Sequence, residues 1–303
     1  MAAFTKELVK IASVEDGIAL EAWLFKPAGT EPFPVVIAGH GLTVVKDAGL
    51  LPFGERWALD ARYASLIFDY RYFGGSDGEP RNFVSLTKQR EDYQAVLRWV
   101  RLQPEQFLNT RIVLMGSALS ALTICQLALD DSGLAGVMAH SPMLDGYDTA
   151  MSLGFNPRLM FWALVDRIKR SMGYSPLFIK AVGRPGEFAF LNTPSSYQGF
   201  VSMFEQGNIA FSSAPNVINP SVLFEIMNAR PGRKLRDAHC PVLLVTTKAD
   251  DIMPSSTAAE VAEIASNNVT MIEAQGGHYD IMHGGQGFEV NINAQLDFLA
   301  HLR

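Results

Sequence analysis

Short, continuously apolar runs alternate with helix-forming stretches along most of this 303-residue chain. Such runs are typical of strands that are buried on both faces of a parallel sheet. We predict six of them: FPVVIAGHG, ASLIFDY, RIVLMG, GLAGVMAHSP, PVLLVTT and VTMIEA. An antiparallel pair precedes them at residues 6–25, around the turn at Asp16-Gly17. This alternation predicts an α/β fold with a doubly wound, mostly parallel sheet.

The alternation breaks once, between the fourth and fifth of these strands. Residues 143–238 separate them, a stretch much longer than an ordinary connection and rich in Phe, Met, Pro, Ser and Asn. Active sites of open α/β sheets lie at the carboxyl ends of the strands, where this segment leaves the sheet. We therefore predict a core of residues 1–142 and 239–303, with 143–238 inserted as a partly helical cap. A second domain unrelated to the site is the alternative.

Composition excludes several classes of function. The net charge of −6 offers no basic surface for nucleic acid. No apolar run reaches the roughly 18 residues that a membrane helix needs, and the N-terminus has no apolar signal-peptide core. The two cysteines, Cys125 and Cys240, fall in apolar surroundings typical of buried thiols. We therefore expect a soluble cytoplasmic protein with neither nucleic acid nor membrane as a partner. The oligomeric state is left open, a homodimer included.

The stretch IVLMGSALSALTI, residues 112–124, predicts a strand, a sharp glycine turn and a helix. This is the context of the G-x-S-x-G nucleophile elbow, in which small residues flank the nucleophile at two positions' distance. Gly116 and Ser120 are those small residues only if Ala118 is the central one. Ser117 or Ser120 as the nucleophile would instead place bulky side chains at the crowded positions. The nucleophile position is therefore Ala118, which has no nucleophilic atom.

An acid and a histidine follow the elbow, in the chain order nucleophile, acid, histidine of a known type of catalytic triad. In TTKADDIMP, Asp250 comes just after a predicted strand, with Asp251 as the competing candidate. In EAQGGHYDIMHGG, His278 follows the last strand through two glycines, and His283 is a weaker candidate. We predict that Asp250 hydrogen-bonds His278 and orients its imidazole.

The first parallel strand ends in AGHGLTVVKD, at the position that supplies one oxyanion-hole amide. We predict that the backbone N–H groups of Leu42 and Leu119 are the two donors, and that His40 is structural. No motif indicates a metal or a cofactor.

These motifs resemble those of the α/β-hydrolase superfamily over nearly the whole chain. FDYRYFGGSDGEPRN and GGHYDIMHGGQGFE also resemble loops of dienelactone-hydrolase-like and X-prolyl-dipeptidase-like esterases, and of the fungal polyketide transferases and related hydrolases. The resemblance implies acyl transfer to water or an alcohol through a serine ester, without a cofactor. The implied substrate is an apolar small molecule or a carrier-bound acyl group.

Ala118 departs from that pattern, because alanine cannot form an acyl-enzyme. Either alanine was introduced in place of Ser or Cys, or the natural protein lost its nucleophile. We expect the first, since Asp250, His278 and the small residues beside position 118 are all present. Three functions follow. They are a hydrolase or acyltransferase of apolar esters, lactones or thioesters, a His-Asp dyad enzyme that abstracts protons, and a ligand-binding pseudoenzyme.

Overall fold

The computed structural model describes residues 3–302. Eight strands form one sheet in the order β1-β2-β4-β3-β5-β6-β9-β10, and β7 pairs with β8 in a separate ribbon. The strands are β1 (Phe4–Ala12), β2 (Ala19–Pro27), β3 (Phe33–Gly39), β4 (Ala64–Phe68), β5 (Phe107–Ser117), β6 (Gly136–His140), β7 (Ile179–Lys180), β8 (Val217–Ile218), β9 (Val242–Thr247) and β10 (Val269–Ala274). In the large sheet β1 and β2 pair antiparallel, β2 pairs antiparallel with β4, and the remaining pairs are parallel.

Helices cover both faces of the sheet, as the doubly wound prediction requires. They are α1 (Leu51–Asp60), α2 (Leu86–Arg101), α3 (Ser120–Asp130), α4 (Gly146–Ser152), α5 (Pro157–Ser171), α6 (Ser196–Gln206), α7 (Val222–Asn228), α8 (Ser255–Ile264) and α9 (Phe288–His301), with 3₁₀ turns at Phe211–Ser213 and Pro231–Asp237. The predicted fold class is confirmed. Strands β4, β6 and β9 are buried at every residue, which explains their continuous apolar pattern.

The order of the strands locates the crevice of the sheet. From β3 the chain moves to β4 on one side, and it later returns to β5 on the other side of β3. The loops that follow β3 and β5 therefore diverge, which leaves a crevice at their carboxyl ends. Residues 40–47 of the AGHGLTVVKD motif, the HG loop, follow β3, and the turn at Ala118 follows β5, so both motifs lie at this switch point.

The inserted segment, residues 143–238, runs from the end of β6 to the beginning of β9 and contains α4 to α7 and the small ribbon. Its two ends are joined by the buried carboxylate of Asp145. That carboxylate caps α4 by accepting from the backbone N–H groups of Tyr147 and Asp148. It also accepts from Nε of Arg230 and of Arg233, each 2.8 Å from Oδ2. Asp145 thus fastens the beginning of the segment to its end.

Asp145 is expected to make stability depend on pH. Burial opposes ionisation, but the hydrogen bonds from Arg230 and Arg233 outweigh it and lower the pKa of Asp145 to about 2. A carboxyl whose pKa is lower in the folded state stabilises above its unfolded pKa of about 4, and this stabilisation is lost as the pH falls to about 2. Asp145→Asn should therefore lower the free energy of unfolding by about 2 kcal/mol at pH 7. In urea titrations the gap between wild type and variant should close between about pH 4 and pH 2, and a constant gap would contradict the assignment.

Candidate active site

The turn after β5 holds Ala118 in a left-handed backbone conformation, with φ of +48°. Its N–H donates to the carbonyl oxygen of His140 over 3.1 Å, and its carbonyl accepts from the N–H of Met143 over 3.1 Å. A Cβ added to Gly116 would lie 2.9 Å from the backbone carbonyl carbon of Ser120, so no larger residue fits there. This strained strand-turn-helix is the geometry of a nucleophile elbow, and residue 118 is at its apex.

Ser120, the first residue of α3, links this turn to the HG loop. Its fully buried hydroxyl hydrogen-bonds the carbonyl oxygen of His40 and the hydroxyl of Tyr70. Because a carbonyl only accepts, Ser120 donates to His40 and the phenol donates to Ser120. The bond fixes the peptide unit between His40 and Gly41. The sequence required a small residue here, but nothing in it signalled this hydrogen bond.

Asp69 holds the rest of the HG loop. One carboxylate oxygen accepts from the N–H of Lys46 and the other from Nζ of Lys46, over 2.6 and 3.0 Å. The N–H of Gly75 donates to the same carboxylate over 2.9 Å. Asp69 and Gly75 belong to the motif FDYRYFGGSDGEPRN, so that motif supports the loop and stays outside the pocket wall.

The predicted acid and histidine are in contact. Nδ1 of His278 lies 2.9 and 3.0 Å from the two carboxylate oxygens of Asp250. Asp251, the competing candidate, accepts from the N–H and hydroxyl of Ser195 in the inserted segment. The ring of His283 packs edge-on against a phenylalanine. The structure therefore brings Asp250 and His278 together and places Asp251 and His283 elsewhere.

The environment of Asp250 keeps it ionised. Burial alone would raise its pKa, but the neighbouring His278 and the N–H groups of Ile252 and Met253, over 2.9 and 2.7 Å, lower it. An ionised Asp250 accepts the Nδ1 proton of His278. Nε2 is then the basic nitrogen of the imidazole.

The hydroxyl of Ser141 positions the loop that carries the imidazole. It donates to the carbonyl oxygen of His278 over 3.1 Å, and the N–H of Ser141 donates to Val245 in β9. Ser141 follows β6, so this bond ties the histidine loop to a neighbouring strand end. No pattern in the sequence indicates this role for Ser141.

The predicted oxyanion-hole residues adjoin the elbow. Leu119 is the N-cap of α3, and Leu42 follows Gly41, whose added Cβ would lie 3.5 Å from the Cβ of Ala118. Within residues 3–302 neither the N–H of Leu42 nor that of Leu119 donates a hydrogen bond. Two free amides beside a helix N-terminus can bind a developing negative charge.

Position 118, His278 and both leucines line one apolar pocket. The inserted segment contributes part of its wall, through Met143, Leu153, Phe190, Leu191, Phe200, Met203 and Ile226. Of the many Phe and Met residues of this segment, only some line the pocket, Met143 and Phe190 among them. Others, such as the half-exposed Phe161, lie away from it. Within the described chain, no group of three or more His, Cys, Asp and Glu side chains could hold a metal ion.

The fold is that of an α/β-hydrolase: an elbow after a central parallel strand, then an acid and a histidine after later strands. Comparison with known proteins agrees. The profile of the X-Pro dipeptidyl-peptidase (S15 family) matches residues 16–165. The quorum-quenching protein AidA of Acinetobacter baumannii is 30% identical, over 94% of this chain and 92% of its own. The chain belongs to the α/β-hydrolase superfamily.

Fungal enzymes are also similar to this chain over almost its whole length. Polyketide transferase ATR5 of Stachybotrys chlorohalonatus is 28% identical, over 100% of this chain and 99% of its own. The crystal structure of the α/β hydrolase GrgF from Penicillium sp. superposes with a TM-score of 0.76 at 23% identity, covering 98% of this chain and 99% of that one. In the described part of the chain, no helix is long and apolar enough to cross a bilayer.

The backbone at Ala118 should be strained whatever its chemical role. A left-handed conformation costs an L-residue about 1–2 kcal/mol, whereas glycine adopts it freely. Ala118→Gly should therefore raise the free energy of unfolding by about 1 kcal/mol in chemical denaturation. The control is Ala259→Gly at an exposed position of α8, which should lower it by about 1 kcal/mol. Equal losses in the two variants would contradict the strain.

Proposed function

We propose that this fold performs acyl transfer through a nucleophile at position 118, with Asp250 and His278 as its partners and the amides of Leu42 and Leu119 as the oxyanion hole. The supporting observation is one pocket that holds the apex of an elbow and an imidazole whose Nδ1 is bound to a buried carboxylate. Each group has the role that its geometry allows. Asp250 holds the tautomer, His278 transfers the proton, and the amides stabilise the oxyanion.

The active form in this proposal has Ser or Cys at position 118, and the chain with Ala118 is impaired. The hydroxyl or thiol attacks the substrate carbonyl while His278 removes its proton. The tetrahedral intermediate then expels an alcohol or thiol, which takes that proton from His278. Water or a second alcohol, deprotonated by His278, then attacks the acyl-enzyme, and the oxygen or sulfur of residue 118 leaves and takes that proton from His278. The remaining site is intact, which supports Ala118 as a substitution for a nucleophile.

Ala118→Ser should create hydrolysis of activated esters and labelling by a fluorophosphonate. In that background Asp250→Asn should lower kcat by about 10⁴-fold, because the imidazole loses the bond that fixes its tautomer. Ester hydrolysis and fluorophosphonate labelling are measured for each variant and for the unaltered Ala118 chain. A folded Ala118→Ser protein that neither turns over esters nor reacts with the probe would refute the proposal.

The substrate we propose is an apolar ester, lactone or thioester. The pocket wall is mostly aliphatic and aromatic, which favours an acyl chain over a small polar group. Relatives named as polyketide transferases and a thiohydrolase, and the quorum-quenching relative, support this class. Both a small molecule and a carrier-bound acyl group belong to this substrate class. A homodimer would be compatible with either substrate.

We further propose that residues 143–238 act as the cap of this pocket. A second apolar cavity lies within the inserted segment, next to the first. The first pocket has a volume of about 80 Å³ and the second cavity one of about 120 Å³. They share a common wall of Met143, Leu153, Phe190, Leu191 and Ile226. Small movements of this wall would join the cavities into one channel for a longer chain.

Acyl length should therefore govern specificity in the Ala118→Ser protein. Each methylene that is buried is worth about 0.8 kcal/mol, so kcat/KM should rise about fourfold per methylene beyond acetyl. Phe190→Ala, which thins the common wall, should move the optimum to longer chains. The measurement is a series of p-nitrophenyl esters, and a strict preference for acetyl would contradict the cap assignment.

One observation favours a second function. The present chain has the Asp250–His278 pair without a nucleophile, which suits proton abstraction from a bound carbonyl compound. Turnover by the Ala118 chain itself would support that dyad enzyme, whereas tight binding without turnover in both forms would support a receptor.

The two buried free thiols, Cys125 and Cys240, support our proposal of a reducing, cytoplasmic location.

A further inference from the structure

His140, the last residue of β6, is a fully buried imidazole at the edge of the pocket that no step above uses. It pairs in parallel register with Ser117, the residue before the apex of the elbow, and its carbonyl holds the N–H of Ala118. The backbone of His140 is therefore one strand away from the place where a substrate carbonyl would react, and His140 lines the same pocket. Strands in a sheet are only about 4.8 Å apart.

A chain of buried hydrogen bonds sets the tautomer of this imidazole. Nε1 of Trp57 can only donate, so the oxygen of the Gln295 amide must face it, over 3.0 Å. The Gln295 nitrogen then donates to the oxygen of Asn291 over 2.8 Å. The Asn291 nitrogen consequently faces Nδ1 of His140 over 3.1 Å, and it also donates to the carbonyl of Ile281. Nδ1 must therefore accept, and the proton of a neutral His140 is on Nε2.

That Nε2–H has no acceptor. Nε2 is buried and makes no hydrogen bond within residues 3–302. Burial, with a smaller contribution from the nearby His278, lowers the pKa of His140 to about 3, so the ring stays neutral at ordinary pH. Buried donors are almost always paired in native proteins, so an unpaired buried N–H such as this one calls for a partner or a function.

We propose that His140 forms a subsite that donates a hydrogen bond to a keto or ether oxygen close to the reacting carbonyl of the substrate. This rests on the proposed function for the presence of an acyl ligand, but the donor itself follows from the Trp57–Gln295–Asn291 chain. The remainder of the pocket wall is mainly apolar. A ligand oxygen at this position would therefore have one fixed hydrogen-bond donor, Nε2–H of His140.

The tautomer can be measured without any ligand or activity. Nitrogen-15 NMR of the histidine-labelled chain should show His140 with a proton on Nε2 and a bare Nδ1 across the neutral pH range. His140→Phe identifies the resonance. A proton on Nδ1, or a ring that titrates near neutral pH, would overturn the proposal.

The subsite is tested with the Ala118 chain and two matched ligands, methyl 3-oxooctanoate and methyl octanoate, by calorimetry. The oxo ester should bind about 3- to 10-fold more tightly, the usual effect of one hydrogen bond. Without a donor at this position methyl octanoate should bind more tightly than the oxo ester, because a keto group loses its hydration when it enters an apolar pocket. Equal or weaker binding of the oxo ester to the unaltered chain would overturn the proposal.

Asn291→Asp provides the matched variant, because a carboxylate accepts from Nδ1–H and leaves Nε2 without its proton. The preference for the oxo ester should disappear while the affinity for methyl octanoate changes little. A folded variant that keeps the preference would contradict the role of His140. The two proposals fail separately. An inactive Ala118→Ser protein with an intact oxo preference refutes only acyl transfer, and an active one without the preference refutes only the subsite.

Discussion

The left-handed turn at Ala118 is the constraint on which the rest of the site depends. An L-residue adopts this conformation at a cost of about 1–2 kcal/mol, so it persists only where surrounding contacts fix it. Here the turn is fixed by the backbone bonds to His140 and Met143 and by the Ser120 hydroxyl that reaches the HG loop. One strained residue thus aligns the ends of three neighbouring strands. The positive φ of Ala118 identifies this residue, and neither Ser117 nor Ser120, as the apex.

Buried charges and amides keep this arrangement rigid. Asp69 ties Lys46 to the loop after β4, and Asp250 binds both His278 and two backbone N–H groups. Each carboxylate has several donors, which offsets the cost of its burial. The imidazoles of His278 and His140 have different tautomers because their Nδ1 atoms face different partners. A carboxylate faces Nδ1 of His278, whereas an amide N–H faces Nδ1 of His140, so Nε2 is a base in one ring and a donor in the other.

The inserted segment adds apolar side chains to a pocket wall that the core residues already make largely apolar. It leaves and rejoins the core through the Asp145 clamp, and its side chains complete a wall that the sheet cannot provide. The adjoining cavity behind Phe190 is lined wholly by residues of the inserted segment.

The sequence by itself determined the layers of this protein and most of its site positions. Continuous apolar runs such as PVLLVTT predicted buried parallel strands, because hydrophobic periodicity is a local property of the chain. The spacing of Gly116 and Ser120 identified position 118 as the nucleophile position. Because Asp250 follows its strand more closely than Asp251 does, the sequence predicted that Asp250 would bond to His278. Their catalytic roles stay predictions.

Only the tertiary structure decided which side chains share the pocket. Phe161 and Phe190 look alike in the sequence, but one faces solvent and the other lines the wall, because the packing of α5 is set by distant elements. The tautomer of His140 depends on Trp57, Asn291 and Gln295, which are brought together from opposite ends of the chain. A donor and its acceptor at such separations leave no local pattern, so folding alone specifies their pairing.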